Sequence, residues 1–194
     1  MRSLAALAFV SALIALVAGC ASSPAHFYTL SATATPSSTS SRLSIAVGPV
    51  SVPAAVDRPQ IVVSTSANQV SIDEFNRWAS PLQDNITRVV AENLVALLGT
   101  PRVTLFPPAL SAEVDYRVQI EIRNFESIPG KSSAIDAVWT VRRVRDGKTE
   151  TGRTSVREPL QDGSLDALAA GHSRAVARMS QDIAEAIRAL DRAS

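Results

Sequence analysis

The stretch that decides the fold is "VDYRVQIEIR", residues 114–123, in which apolar and polar or charged residues alternate without interruption. Successive side chains of a strand point to opposite faces of its sheet, so this alternation predicts a strand with one buried face and one face in water. The apolar members of the pattern are Val114, Tyr116, Val118, Ile120 and Ile122. Such a division is typical of an antiparallel sheet that is covered on one side only.

Two downstream segments extend the pattern. Apolar residues alternate again from Ile135 to Val141, and Asp146-Gly147 then predicts a tight turn into residues 148–156. Together with residues 114–123, these segments predict an antiparallel meander. The other strand candidates, which are rich in β-branched residues or alternate in the same way, are residues 43–52, 60–66, 69–72 and 102–107.

Two segments have helical periodicity. Ser80-Pro81-Leu82-Gln83 predicts a helix start, with Ser80 as the cap, Pro81 at the first helical position and Gln83 completing a capping box. Apolar residues then repeat at helical spacing until Gly99, a residue type that commonly ends helices. A longer amphipathic helix is predicted over Leu165–Leu190. The predicted fold class is α+β: a mostly antiparallel five- to six-stranded sheet with two amphipathic helices packed on one face, in a single domain.

The chain begins with the composition of an export signal. Met1-Arg2-Ser3 is a short basic start, and Leu4–Ala18 is apolar except for Ser11. This run is shorter than the roughly 20 residues that span a membrane, and no basic cluster follows it. Residues 1–19 are therefore predicted to be a signal peptide that is removed.

The only cysteine, Cys20, directly follows this run. Val17-Ala18-Gly19-Cys20 resembles the bacterial lipobox, in which the Cys thiol is acylated with diacylglycerol and the Cys becomes the mature N-terminus. Two or more acyl chains anchor a protein stably to a membrane. Ala21-Ser22, where inner-membrane lipoproteins tend to have Asp, implies by the same resemblance the periplasmic face of the outer membrane. The alternative is an incidental thiol after an ordinary signal peptide.

Residues 31–42, "SATATPSSTSSR", are polar and rich in Ser and Thr. This composition cannot form a core and predicts a tether, although a surface loop is the alternative. Residues 20–42 are thus expected to be the acylated N-terminus and a flexible tether. Residues 43–194 are expected to form the periplasmic α+β domain.

The residue types give little support for catalysis. Removal of Arg2 with the leader leaves 18 Lys and Arg against 18 Asp and Glu, and a neutral domain has no overall field that attracts nucleic acid. His26 and His172 lack a second ligand at metal-binding spacing, and no nucleophile elbow or phosphate loop occurs. His172 is expected at the core edge, bonded to a backbone group. The residues favour a protein that is not an enzyme and holds no metal or cofactor.

Arg142, Arg143 and Arg145 are the densest basic group. Strand alternation divides them between the two faces of the sheet near a strand end, and Asp146 and Glu150 follow. A solvated strand end is favoured over an anion-binding site.

Several separate motifs occur in a fixed order: Tyr28-Thr29-Leu30, "VGPVSVP" (47–53), "VDRPQIV" (56–62) and "RWASPL" (77–82). Together with the lipobox they resemble the ABC-type transport auxiliary lipoprotein family of the paraquat-inducible protein C (PqiC) type, with Val56 where Leu is usual. The resemblance implies an outer-membrane lipoprotein encoded with MCE-type transport components, which supports lipid movement between the two membranes and so envelope integrity. It implies an MCE-domain protein of an ABC lipid transporter as partner, and makes a ring-shaped homo-oligomer plausible.

The motif residues supply the candidate interface, which consists of Asp57, Arg58, Pro59, Arg77 and Trp78. Residues 53–60 and 75–81 are expected to form one contact surface for a neighbouring subunit or for the MCE tunnel, since Trp and Arg are enriched at the energetic centres of interfaces. The alternative is structural: the prolines fix the backbone, and Trp78 packs against the first helix.

Two other classes of protein are compatible with the sequence. One is an outer-membrane lipoprotein regulator of a cell-wall synthase, since such activators also combine a tether with a small α+β domain. The other is a periplasmic hydrolase that uses His172. An MCE-domain gene beside this one would favour the transport accessory, and an isolated gene would favour the regulator.

Overall fold

The structure is a computed structural model that describes residues 24–106 and 113–193. The predicted signal peptide, residues 1–19, and the predicted acylation site, Cys20, lie outside the described residues. In chain order the elements are β1 (His26–Tyr28), β2 (Ile45–Ser51), β3 (Gln60–Ser66), β4 (Gln69–Trp78), α1 (Leu82–Leu98), β5 (Val103–Leu105), β6 (Tyr116–Ile128), β7 (Ser132–Arg143), β8 (Thr149–Pro159) and α2 (Leu165–Arg192).

The larger sheet has five strands in the order β5-β2-β6-β7-β8. β6, β7 and β8 form the predicted antiparallel meander, in which Trp139 lies opposite Ile120 on one side and Gly152 on the other. β2 joins the meander through parallel pairing with β6, and β5 pairs in parallel with β2. The alternation in residues 114–123 is confirmed, because its apolar side chains are buried and the residues between them are exposed.

The two helices pack on this sheet as predicted. α2 contacts β7, β8 and α1, whereas α1 contacts β2 and β5. The apolar stripe of α2 is fully buried at Leu168, Met179, Ile183 and Ile187. The core therefore lies between the helices and the inner face of the sheet, and the α+β single-domain prediction is confirmed.

The C-terminal end of α1 agrees with the prediction, whereas the N-terminal end does not. The helix begins at Leu82 and has no side-chain cap, so Ser80 does not form the predicted capping box. The reason is that the Pro81 carbonyl accepts the first helical bond, from the Asn85 amide at 3.0 Å, which leaves Ser80 one residue outside. At the other end, Gly99 adopts φ 61° and terminates the helix as predicted.

A second sheet corrects the prediction of a single one. It has three strands in the order β1-β4-β3, with β4 antiparallel to β3 and parallel to β1. The predicted strand over residues 69–72 extends to Trp78, although its register with β3 shifts on the way. Asp73 supports this irregular part, because its Oδ1 accepts the amides of Phe75 and Asn76. The sequence did not predict a strand beyond Ile72, because the residues between Ile72 and Trp78 are mostly polar and do not alternate.

The predicted tether lies against the domain, which corrects the expectation of a flexible segment. β1 begins at His26, and Leu30 is fully buried. Beyond it, the amides of Thr33 and Ala34 both donate to Oδ1 of Asn93 on α1, each at 3.1 Å. The folded part of the chain thus begins near residue 26 rather than at residue 43.

The C-terminal end of α1 holds the rest of this segment. The Ser37 amide donates to the Ala96 carbonyl at 2.8 Å, and the Ser41 amide donates to the Gly99 carbonyl at 3.0 Å. A β-carbon at Gly99 would overlap the carbonyl oxygen of Thr39, so the position needs glycine for packing as well as for its backbone angle. A segment rich in Ser and Thr cannot form a core of its own. Its backbone amides can nevertheless donate to helix carbonyls and to amide side chains, which holds the segment against the domain.

Candidate docking surface

The structure brings the two predicted interface motifs together. The Trp78 amide donates to the Pro59 carbonyl at 2.7 Å, and Gln60 at the start of β3 pairs with Arg77 near the end of β4. Within the turn that precedes β3, the amide of Asp57 donates to the Pro53 carbonyl at 3.1 Å. The loop over residues 53–60 therefore sits directly beside the end of β4.

Trp78 is part of the core and does not face solvent. Its side chain is 5% exposed and packs edge-on against Phe125 of β6, with ring centroids 6.1 Å apart. Aromatic pairs favour this T-shaped arrangement. Trp78 therefore fixes the smaller sheet to the larger one, while its neighbours can reach a partner.

The polar motif residues lie at or near the surface. Asp57 and Pro59 are exposed, and Arg58 is half-buried. Nε of Arg58 is shielded from solvent and has no hydrogen-bond partner within residues 24–106 and 113–193. Arg77 is half-buried as well, and its Nε donates to the Glu74 carbonyl at 3.2 Å. A shielded Arg donor without a partner is unfavourable, and a turn of the Arg58 side chain towards the surface would let another molecule satisfy it.

Sequence analysis missed a set of exposed apolar side chains on the smaller sheet. The set consists of Phe27 on β1 and of Val70, Ile72 and Phe75 on β4. The signal was present in the alternation of Val70 and Ile72 and in the phenylalanine within each of the segments "FYTL" (27–30) and "EFNRW" (74–78). It could not be read as a surface without knowing that β1 pairs with β4.

His172 is buried more deeply than expected and bonds a side chain. It is fully buried, stacks on Phe125 with centroids 3.7 Å apart, and its Nε2 lies 2.8 Å from the Ser127 hydroxyl. Burial lowers the pKa of the imidazole to about 3. Ser127 is itself only 3% exposed, and Nδ1 of His172 has no hydrogen-bond partner in the part of the chain that the structure describes. This arrangement is a packed aromatic pair with one polar contact inside the core.

Arg143 departs from the expected solvated strand end. It is 2% exposed, and its Nη1 donates to the Leu190 carbonyl on α2 at 2.5 Å. Its Nε and Nη2 donate to the two carboxylate oxygens of Asp146 at 3.0 and 2.6 Å. The hydrogen bond from Arg143 is the main reason that the pKa of the Asp146 carboxyl falls to about 2. Alternation places Arg143 on the inner face, where it connects the sheet to the last turn of α2.

The remaining arginines of that strand end do not form a positive cleft. A cleft of about 580 Å³ is lined by Arg145 of this group and by acidic as well as basic side chains: Arg102, Arg117, Arg143, Glu113, Asp115 and Asp191. Its charges have both signs, so the structure adds no support for an anion site there. Across residues 24–106 and 113–193, no helix is long and apolar enough to cross a membrane, and no cluster of His, Cys, Asp and Glu could hold a metal ion.

Comparisons with known proteins agree with this architecture. Two crystal structures share the fold: a protein of uncharacterized function (TM-score 0.70, 20% identity, 85% of this chain and 99% of that one) and a Xanthomonas campestris protein of the family DUF330 (TM-score 0.69, 19% identity, 87% and 99%). No significant match was found among curated proteins. The family model for the ABC-type transport auxiliary lipoprotein component matches residues 28–184, which confirms the resemblance seen in the motifs. The chain therefore belongs to the family of ABC-type transport auxiliary lipoproteins.

Proposed function

We propose that this protein is a lipid-anchored accessory component of an MCE-type ABC transport system. Acylated at Cys20 and held at the periplasmic face of the outer membrane, it docks the MCE-domain protein, and so supports lipid movement between the membranes and envelope integrity. In this proposal the protein binds and positions its partner and performs no catalysis. Membership of a transport auxiliary lipoprotein family supports the role.

The geometry of the N-terminal segment supports a position close to the membrane. Only residues 21–25 lie between Cys20 and β1. The rest of the expected tether, residues 26–42, is held against the domain and does not lengthen this link. An extended chain spans at most about 3.6 Å per residue, so this link reaches roughly 20 Å. The acyl anchor would therefore keep the smaller sheet near the lipid headgroups, and the domain could not reach a distant partner on a long tether.

The observation that carries the docking role is the half-buried side chain of Arg58, whose Nε has no hydrogen-bond partner among the described residues, beside the exposed turn at Asp57 and Pro59. Because that Nε is shielded from solvent, a carboxylate or carbonyl of the MCE-domain protein would bind it once the Arg58 side chain turns outward. Hydrogen bonds from charged donors contribute about 1.5–3 kcal/mol, and arginine is among the residues most enriched at interface centres. Arg77 borders the same surface, whereas Trp78 supports it from within the core.

The test is co-purification from membranes in mild detergent. The full-length lipoprotein carries a C-terminal tag, and the captured MCE-domain protein is quantified by mass spectrometry. We expect Arg58→Ala to reduce capture about tenfold or more, as the loss of one charged hydrogen bond predicts. Arg123→Ala is the control, because it removes an exposed arginine of β6 that lies outside this surface.

Each outcome of this experiment has a defined meaning. If the acylated, folded lipoprotein captures no MCE-domain protein, the transport-docking proposal is rejected. Capture of a cell-wall synthase in its place would favour the regulator. Equal capture by Arg58→Ala and the wild type would exclude Arg58 from the contact. The ring-shaped homo-oligomer remains a prediction, which native mass spectrometry of the detergent-solubilised protein would test.

A further inference from the structure

The smaller sheet carries a concentration of exposed apolar side chains. We call these residues the apolar patch: Phe27 (64% exposed), Val70 (57%), Phe75 (48%) and Ile72 (40%). Large apolar side chains exposed singly are common on protein surfaces, but a group of them on one element marks an interaction site. Within the described residues, this three-stranded sheet holds half of the eight large apolar side chains that are exposed.

The strand register brings the members of the patch together. Phe27 on β1 lies beside Arg77 of β4, and Phe75 is two residues before Arg77. His26 pairs with Asn76, the residue after Phe75, so the two phenylalanines lie on adjacent strands at the same end of the paired segment. Val70 and Ile72 lie in the part of β4 that pairs regularly with β3, where they share a face, and they are nearer the β3–β4 turn.

The patch lies at the end of the chain where the lipid would be attached. Phe27 follows Cys20 by seven residues, a distance of roughly 25 Å when fully extended. The domain begins near Phe27, because residues 29–41 are bound to α1 through Asn85, Asn93 and the carbonyls at its end. The link to Cys20 therefore gains no length from these residues. An anchor at Cys20 therefore restricts which surfaces of the domain can meet the bilayer, and the apolar patch is among the nearest.

We propose that the apolar patch rests in the interfacial region of the membrane that holds the acyl chains of Cys20, and acts as a second, non-covalent contact with lipid. This inference rests on the acylation at Cys20 included in the proposed function. Amphipathic surfaces of this kind bury their apolar side about 5–10 Å into the boundary between headgroups and acyl chains. The contact would fix the orientation of the domain on the bilayer.

The charges around the patch fit an apolar contact better than an electrostatic one. Glu74 and Arg77 flank Phe75 with opposite charges, and the carboxylate of Asp73 is occupied by the amides of Phe75 and Asn76. Arginine can cover apolar surface with its stem while its guanidinium stays among the headgroups. A contact made by apolar burial should persist at high salt, unlike the attraction of a basic patch to anionic lipid.

The experiment places a fluorescent probe in the patch. The full-length acylated protein with Phe75→Trp is reconstituted into phosphatidylcholine vesicles that contain lipids brominated at shallow or deep acyl positions. The native Trp78 and Trp139 are 5% and 7% exposed, so the wild-type protein supplies the background. Val95→Trp is the control, because Val95 is exposed on α1, outside the patch.

We expect the Phe75→Trp emission to shift to the blue and to be quenched by shallow bromines, at every protein-to-lipid ratio and at low and high salt. Val95→Trp should show neither change. Absence of quenching in protein that mass spectrometry shows to be acylated overturns the inference and leaves the proposed function intact, whereas absence of acylation rejects the anchor itself. A blue shift without quenching would mean that a second copy of this chain, and not lipid, covers the patch, and would also overturn the inference.

Discussion

The side chain of Asn93 offers a direct test of whether the segment after Leu30 belongs to the folded domain. Its Oδ1 accepts the amides of Thr33 and Ala34 at 3.1 Å, and its Nδ2 donates to Ser180 of α2 at 3.3 Å. Asn93 is fully buried. Asn93→Ala therefore removes two of the hydrogen bonds that hold the N-terminal segment to α1, together with one link between the helices.

The magnitude follows from the groups left without partners. A buried donor that loses its acceptor costs about 1–3 kcal/mol. Thr33 is exposed and Ala34 is half-buried, so water can replace part of the loss. We expect the free energy of unfolding to fall by about 2–3 kcal/mol, which for a domain of this size lowers Tm by roughly 5–10 °C.

Two measurements check this expectation. Denaturant unfolding gives the change in stability, and hydrogen exchange reports the protection of the Thr33 and Ala34 amides. Asn124→Ala is the control, because Asn124 is exposed on β6. If Asn93→Ala leaves both the stability and the protection of these amides unchanged, the segment is a free tether and our description of it is wrong.

Two further predictions concern the core. Gly152→Ala should lower the free energy of unfolding by about 1–3 kcal/mol in denaturant unfolding, because a β-carbon there would overlap the Trp139 ring. Gly163→Ala is the control and should change stability little, because only the Gly130 amide nitrogen is near. Equal effects of the two substitutions would contradict this explanation. Between its ordinary pKa of 6.5 and its pKa of about 3 in the folded protein, His172 binds a proton in the unfolded chain but not in the folded one. The free energy of unfolding should therefore fall as the pH drops through this window, by about 1–2 kcal/mol per pH unit. His172→Gln should have a smaller slope in unfolding titrations, and an unchanged slope in this variant would refute the assignment.

The parts of the fold that the sequence predicted are those set by local periodicity. Residues 114–123 and the two segments after them alternate because one face of the meander is covered and the other is not. The helical stripes and the stop at Gly99 follow from equally local rules. Each of these signals lies within a single element, so no knowledge of distant residues is needed to interpret it.

The parts that were missed depend on partners far away in the chain. Asn85 and Asn93 lie on the inner face of α1, where a search for apolar spacing passes over them, yet they hold residues 29–34. Phe27 and Phe75 become neighbours only through the parallel pairing of β1 with β4. For the candidate interface, the motifs identified the residues. Only the packing shows that Trp78 points inward and that Nε of Arg58 has no partner within residues 24–106 and 113–193.

The parallel pairing of β1 also sets the order in which the chain can fold. His26 pairs with Asn76, whereas Ile128 and Ser132 already meet across one short turn. Contacts between distant residues form later than local ones, because closing a longer loop costs more entropy. During synthesis, the N-terminal strand must therefore wait for β4, and residues 29–41 must wait for α1. If Cys20 is acylated as proposed, this delay would leave β1 without its partner strand until β4 has been made.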